Sequence, residues 1–291
     1  MSVSVALATA ADEGLKQLGA NEAAARLGAD IEGVHQMRVG LRRLKVVLSL
    51  ANKLDLAPRR DALKIELDWI GDVLGKARDL DVFILETLDP LRSRHAKDDS
   101  LARLYRRAAK ARKAAYAALR QALDSSRYAD AQRSLNAWVA ALAAPATDAA
   151  TQPPLGEIAV TLLTKRHKRL GKFVRKHSWH TKTKLHALRL HAKKLRYTAA
   201  FFASLYPGKY TKPFLAAVSN LQDALGRAHD SEVAHQILVI LGTRPTPSAP
   251  PYKAWRDADD LVETWHRARS DDVAKRIEPA WRALKETKRF W

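Results

Sequence analysis

The sequence predicts an all-α fold, arranged as two similar bundles of about four helices each. Three observations carry that reading. Nearly all patterned sequence has helical period and is rich in Ala, Leu, Arg and Lys, which lose little side-chain entropy in a helix. No stretch reads as a strand. The chain also matches itself at a displacement of 151 residues: Asp72, Leu74, Gly75, Ala77, Asp79 and Val82 face Asp223, Leu225, Gly226, Ala228, Asp230 and Val233. Six identities in eleven residues, sharing one register with a second motif upstream, point to an internal duplication.

Taken in order, the N-terminal MSVSVALATAADEG lacks the basic and apolar regions of a signal peptide. From His35 onward, Met37, Leu41, Leu44 and Leu48 recur at i, i+4, i+7 and i+11, which gives one helix face to bury. After a break at Pro58, Leu63, Leu67, Ile70 and Leu74 repeat that spacing. The stretch from Leu101 to Ala143 reads as two helices divided around Asp124 to Tyr128. Ala143 to Gly156, AAPATDAATQPPLG, stops helix and predicts the linker between halves at about 1–142 and 157–291. The second half breaks at Tyr206, Pro207 and Gly208 and resumes near Pro213. The loop GTRPTPSAPP then precedes an expected final pair of helices.

At 47% apolar residues the chain can fill a real core. Its 51 Lys and Arg against 31 Asp and Glu leave +20, a surplus that selects polyanions: nucleic acid, polyphosphate, acidic membrane or acidic protein. Without cysteine there are no disulfides and no thiolate metal sites. No apolar run approaches the ~20 residues of a membrane span, so no membrane partner and a cytoplasmic location are expected.

The chemistry sits in two doubled motifs. In HQMRVGLRRLK, residues 35–45, His35, Arg38, Arg42 and Lys45 fall at i, i+3, i+7 and i+10, along one side of three helical turns. HALRLHAKKLR, residues 186–196, repeats the stripe with His186, Arg189, Lys193 and Arg196. Like charges one turn apart repel, so an anion offsets them or nearby carboxylates pair with them. Residues 158–222 contain no Asp or Glu but 15 Lys or Arg and five His, which favours the anion. Within that stretch Lys165, Arg169, Lys172 and Lys176 form a further basic stripe. Arg grips phosphate oxygens bidentately and Lys acts as a mobile point charge, a mixture suited to an extended phosphate chain. His35 and His186 read either as structural groups or as ligands; as ligands they would make binding tighten when pH falls.

In the second motif, Gly75 and Gly226 sit inside helical pattern, which predicts the close approach of another helix. Asp79 and Asp230 are placed to accept hydrogen bonds from the motif arginines, while Arg78 and His229 read as extra anion ligands. His229-Asp230 also fits a metal-dependent phosphohydrolase. Its counterpart is Arg78-Asp79, however, so the element shared by the halves lacks the metal-binding His. No nucleotide-binding Gly-rich loop or His-Glu-x-x-His occurs, and the seven Trp show no stacking pattern, so no metal, cofactor or catalytic residue is assigned.

The four segments HQMRVGLRRLK, DVLGKARDLDV, HALRLHAKKLRY and LQDALGRAHDSEV resemble, in order and spacing, the CHAD family, the conserved histidine α-helical domain. The resemblance covers almost the whole chain and implies one such domain over 1–291, its repeats joined by 143–156. It implies two four-helix bundles in pseudo-twofold relation around a basic central groove or pore. It further implies binding of long-chain inorganic polyphosphate, often with targeting to polyphosphate granules. By position, the contacts would come from His35, Arg38, Arg42, Arg43 and Lys45 and from His186, Arg189, Lys193, Lys194 and Arg196. The family also occurs fused to a triphosphate-processing domain, for which no room is seen here. The expectation is therefore a stand-alone binding module without catalysis. The alternatives are a nucleic-acid binder and, further off, the phosphohydrolase; weaker nucleic-acid binding is compatible with the first reading.

Overall fold

In a computed structural model the residues described, 2–54, 56, 60–144, 154–176, 181–242 and 256–291, form helices and turns with no strand among them. Side chains are described for all of these except 60, 182, 227–230 and 270–274. The chain divides into two compact units, Met1–Gln152 and Pro153–Trp291. Of the segment read as a linker, residues 145–153 lie outside the described ones.

Unit 1 contains α1 (Val3–Ala20), α2 (Glu22–Leu27), α3 (Glu32–Lys53), α4 (Arg60–Phe83), α5 (Asp89–Arg94), α6 (Asp99–Leu123) and α7 (Ser126–Ala143). Several starts are set by side chains that accept orphan backbone N–H groups. Ser2 accepts from Val5, Asp98 from Leu101 at 2.8 Å, and Ser125 from Tyr128 at 3.2 Å. A π-helical turn, Ile84–Leu88, continues α4 into the short α5, which carries a Pro in its first turn. The apolar stripes are the core: Met37, Leu41, Leu44 and Leu48 of α3 and Leu63, Leu67, Ile70 and Leu74 of α4 are all buried. Helix α3 packs between α1 and α4, and α4 also packs on α6.

The α1–α3 crossing is closest at two glycines. A Cβ on Gly40 would stand 2.7 Å from the Gly14 carbonyl oxygen and 2.9 Å from Leu18 N, so only hydrogen fits. A second restraint is polar. Asp81 of α4 is buried, with Oδ1 accepting from Arg112 Nε at 2.6 Å and Oδ2 from the Tyr116 hydroxyl at 2.8 Å. Arg112 Nη2 donates in turn to the Gly28 carbonyl at 3.2 Å, and its guanidinium lies 4.4 Å over the Tyr116 ring. Gly28 has φ 65°, and a Cβ there would meet Tyr116 at 2.6 Å. One carboxylate thus ties α4, α6 and the turn after α2 together.

Unit 2 contains α8 (Leu155–Lys176), α9 (Lys182–Phe202), a short 3-10 turn, α10 (Thr211–Ile240) and α11 (Arg256–Glu286), with α9 packed on both α8 and α10, and α10 on α11. Its buried residues on α9 repeat α3 at the 151-residue displacement: Leu188, Ala192, Leu195 and Ala199 stand where Met37, Leu41, Leu44 and Leu48 stand. Helices α4 and α10 likewise begin 151 residues apart. The expected final pair of helices is instead one helix, α11, running through Pro279. Loss of one backbone N–H there is outweighed by burial of Ala258, Val262, Ile277 and Leu284 along the helix.

Replacing Asp81 with Ala leaves Arg112 and the Tyr116 hydroxyl without their acceptor. The expected cost is about 3–5 kcal/mol of unfolding free energy, read from urea denaturation of the full chain. A loss under about 1 kcal/mol would show that the network does not restrain α4.

Candidate anion-binding site

On the α3–α4 seam of unit 1, three predicted residues, His35, Arg38 and Arg78, come together near the Asp79 carboxyl. Arg38 crosses α4 at Gly71 and Gly75: Nη1 points at the Gly71 carbonyl at 3.5 Å, and a Cβ on Gly75 would stand 3.0 Å from that same nitrogen. Gly75 therefore makes room for a guanidinium and not for a neighbouring helix backbone, which corrects the close-helix expectation. Among the described residues nothing lies within 4 Å of where a Cβ on Gly226 would be, so no close helix is found there.

Arg78, from the next turn of α4, has its Nη1 buried with no hydrogen-bond partner among the described residues. Arg38 and Arg78 both act on His35 and on Asp79, which places the four in one locale. Burial pushes the His35 imidazole down from its usual value, and Arg78, Arg42 and Arg38 push it further, against Glu32 alone. Burial pushes the Asp79 carboxyl above the usual carboxylate range, and the attraction of Arg38 and Arg78 does not cancel that. Among the described residues no hydrogen bond reaches Asp79, so it balances the arginines through the field and does not clamp them as the sequence suggested. Among the described residues the cluster holds at least one unsatisfied buried donor, Arg78 Nη1, which an oxyanion could accept from.

Two other predicted contacts are engaged elsewhere. Lys45 donates to Asp68 Oδ1 at 2.6 Å while Lys64 donates to Oδ2 at 2.6 Å. Burial pushes the Asp68 carboxyl up, but these two hydrogen bonds outweigh it and hold it below the usual range. Arg43 points to the far flank of α3, 3.7 Å from Glu13 of α1, and is not part of the Arg38 cluster.

In unit 2, His186 of α9 is exposed, and Arg189, Lys193 and Arg196 are half-buried on the same flank. Lys193 Nζ lies 6.0 Å from the centre of the Tyr197 ring. The side chains of His229 and Asp230 lie outside the described ones. The Lys194 carbonyl accepts from Arg166 Nη1 of α8 at 2.7 Å, and its ammonium acts on His191 of the same helix. Lys165, Arg169, Lys172 and Lys176 are exposed on α8. Sequence reasoning passed over Arg166 and His191, both facing this α8–α9 seam. No carboxylate follows in sequence until Asp223, and that was their signal.

Among the described residues no group of three His, Cys, Asp or Glu is placed to hold a metal ion, and no helix is long and apolar enough to cross a membrane.

Fold and site define the class: an all-α protein whose helix seams gather cations. Residues 9–239 match the family model described as the CHAD domain, and the chain belongs to that family. It is similar to the crystal structure of the CHAD domain from the plant Ricinus communis, with 28% identity and a TM-score of 0.82 over 99% of this chain and 93% of that one. It is also similar in fold to PptA from Streptomyces chartreusis, with 19% identity and a TM-score of 0.70 over 97% of this chain and all of that one. No curated protein matches the chain.

The lowered His35 value has a consequence for stability. An imidazole whose folded pKa lies below its unfolded value of about 6.5 binds protons more readily in the unfolded state, so stability falls as pH drops from about 6.5 toward the folded value. His35→Gln should flatten part of that fall. Thermal melts of both proteins between pH 7.5 and 5 test this, and identical slopes would remove His35 from the acid response. His266, pushed down to about 4 by burial and by Arg269, leaves a residual slope in both.

Proposed function

We propose that the chain binds long-chain inorganic polyphosphate through the cationic faces of α3–α4 and of α9–α10, as a binding module without catalysis of its own. The single observation that carries this is the buried Arg78 Nη1, without a hydrogen-bond partner among the described residues, beside Arg38 and His35, with Asp79 acted on by both arginines. Membership of the CHAD family supports a polyphosphate-related function at the level of the family. The net charge of +20 supports a polyanion in general. Polyphosphate offers about one charge per unit and no bases, so a site for it needs spaced cations and no edge recognition. The doubled stripe supplies that. A cytoplasmic location at polyphosphate granules belongs to the same proposal, as does weaker binding of nucleic acid by the same cations.

The test is a titration of the full chain with long-chain polyphosphate, with RNA, DNA and orthophosphate as competitors and phosphate release followed throughout. Displacement by polyphosphate alone, without phosphate release, is expected. Preference for RNA or DNA at equal charge would favour a nucleic-acid protein, and metal-dependent phosphate release would favour a phosphohydrolase. Arg38→Glu with Arg189→Glu should weaken binding at least about a hundredfold with helicity intact, since charged hydrogen bonds contribute about 1.5–3 kcal/mol each. Unchanged affinity in the double variant would remove these faces from the site. Affinity should also fall steeply with salt through counterion release, as it does for nucleic-acid complexes.

Binding should also be linked to protons. A bound polyanion favours the charged imidazole, so affinity should rise as pH falls below about 6.5, with proton uptake that His35→Gln reduces. Calorimetry in buffers of different ionisation enthalpy measures that uptake, and an uptake equal in both proteins would place His35 outside the site.

A further inference from the structure

The α1–α3 seam of unit 1 and the α8–α9 seam of unit 2 share a frame but not a charge pattern. On α8, Leu155, Ile158, Ala159, Leu163 and Leu170 are buried at the spacing of Val3, Ala6, Leu7, Ala11 and Leu18 on α1, now at a displacement of 152. That register sets Arg166 where Gly14 lies and Lys165 where Glu13 lies. On α9, the 151-residue register sets His191 where Gly40 lies and Lys194 where Arg43 lies. In unit 1 the seam is closed by Gly14 against Gly40 and its one cation pairs with Glu13. In unit 2 both glycines are replaced by cationic or protonatable groups, and the acid by a lysine.

The consequences are visible in the geometry. Arg166 reaches across to the Lys194 carbonyl at 2.7 Å, and the His191 ring packs against Phe173 of α8 at 5.1 Å between centres. Burial lowers the Arg166 pKa and Arg169 lowers it further; burial does the same to His191, reinforced by Lys194 and Arg169. No carboxylate pairs with Arg166, Arg169 or Lys194 among the described residues. A partly buried cation flanked by cations is unfavourable without an anion, and two guanidinium groups with an imidazole and an ammonium present donors suited to tetrahedral oxygens.

We propose that the α8–α9 seam of unit 2 is a second anion site, in which Arg166, Arg169, His191 and Lys194 hold a multiply charged phosphate oxyanion. The choice of phosphate rests on the proposed function; of these four residues, Arg166 and His191 are not among the contacts that the family resemblance implies. It has no equivalent in unit 1, so the two halves differ in how many phosphate contacts they make.

The experiment titrates tripolyphosphate into the full chain carrying Arg38→Gln and Arg189→Gln, with and without Arg166→Gln and Lys194→Gln. The first variant should retain a site, and the added changes should weaken it by at least about tenfold. Binding that ignores the added changes, or that is absent from the first variant, overturns the inference and leaves the proposed function standing. If instead long-chain polyphosphate binding depends on Arg166 and Lys194 but ignores Arg38 and Arg189, the second site stands and the proposed placement falls. Lys165→Glu, an exposed change, provides an independent reading should the Arg166 variant misfold. It installs the acid that unit 1 has at Glu13, opposite Lys194, and should raise thermal stability while lowering tripolyphosphate affinity; unchanged affinity overturns the inference.

Discussion

Arg38 and Arg78 have to be held close to one another and to His35, in a half-buried place where each raises the energy of the others. Like charges on facing helices do not assemble by themselves, so the arrangement depends on forces from elsewhere. The apolar stripes of α3 and α4 supply most of them, since burial of Met37, Leu41, Leu44, Leu67 and Leu74 fixes both helices whatever their flanks carry. The buried Asp81 network then fixes α4 against α6, two residues beyond Asp79. In the proposed function, an anion bound here relieves the mutual repulsion of these cations.

The role of the glycines follows from the same constraint. Gly71 and Gly75 lie one turn apart on α4 and leave a smooth strip over which Lys45 and Arg38 pass. At Gly71 the lysine finds Asp68 and is neutralised; at Gly75 the arginine lies over α4 with its Nη1 toward the Gly71 carbonyl and acts on Asp79 through the field. Two basic residues of one stripe, seven positions apart, thus meet different surroundings on the partner helix, Lys45 an ion pair with Asp68 and Arg38 a glycine surface. Stripe periodicity selects which side of a helix is basic, and the facing helix decides what each of those charges meets.

That division marks what was legible in the sequence. Core stripes, helix breaks at Asp124 and Tyr206, and the shared register of α3 with α9 are local or periodic, and each could be read from spacing. The pairing of Lys45 with Asp68, the seat of Arg38 on Gly75 and the turning of Arg43 toward Glu13 are contacts between residues far apart in sequence, and no period announces them. The Gly14–Gly40 crossing was missed for a further reason. Helices α1 and α8 correspond at a displacement of 152, one residue off the motifs, so a comparison held at 151 pairs Gly14 with Lys165 and hides its replacement by Arg166.

This one-residue shift separates what duplication preserves from what it releases. The buried positions of α8 and α9 keep the spacing of α1 and α3, because a core slipped by one residue would turn its apolar face to water. Side chains flanking that core are free to change once the packing distance changes. Gly40 and Gly14 allow α1 and α3 to touch backbone to backbone and leave no volume for a ligand. His191 and Arg166 are too large for such a contact, so the α8–α9 seam has to accommodate polar side chains, and polar side chains in a seam require partners. A carboxylate would have supplied them from within. Residues 158–222 supply none, and in the second anion site proposed for that seam the partner is an anion from solution.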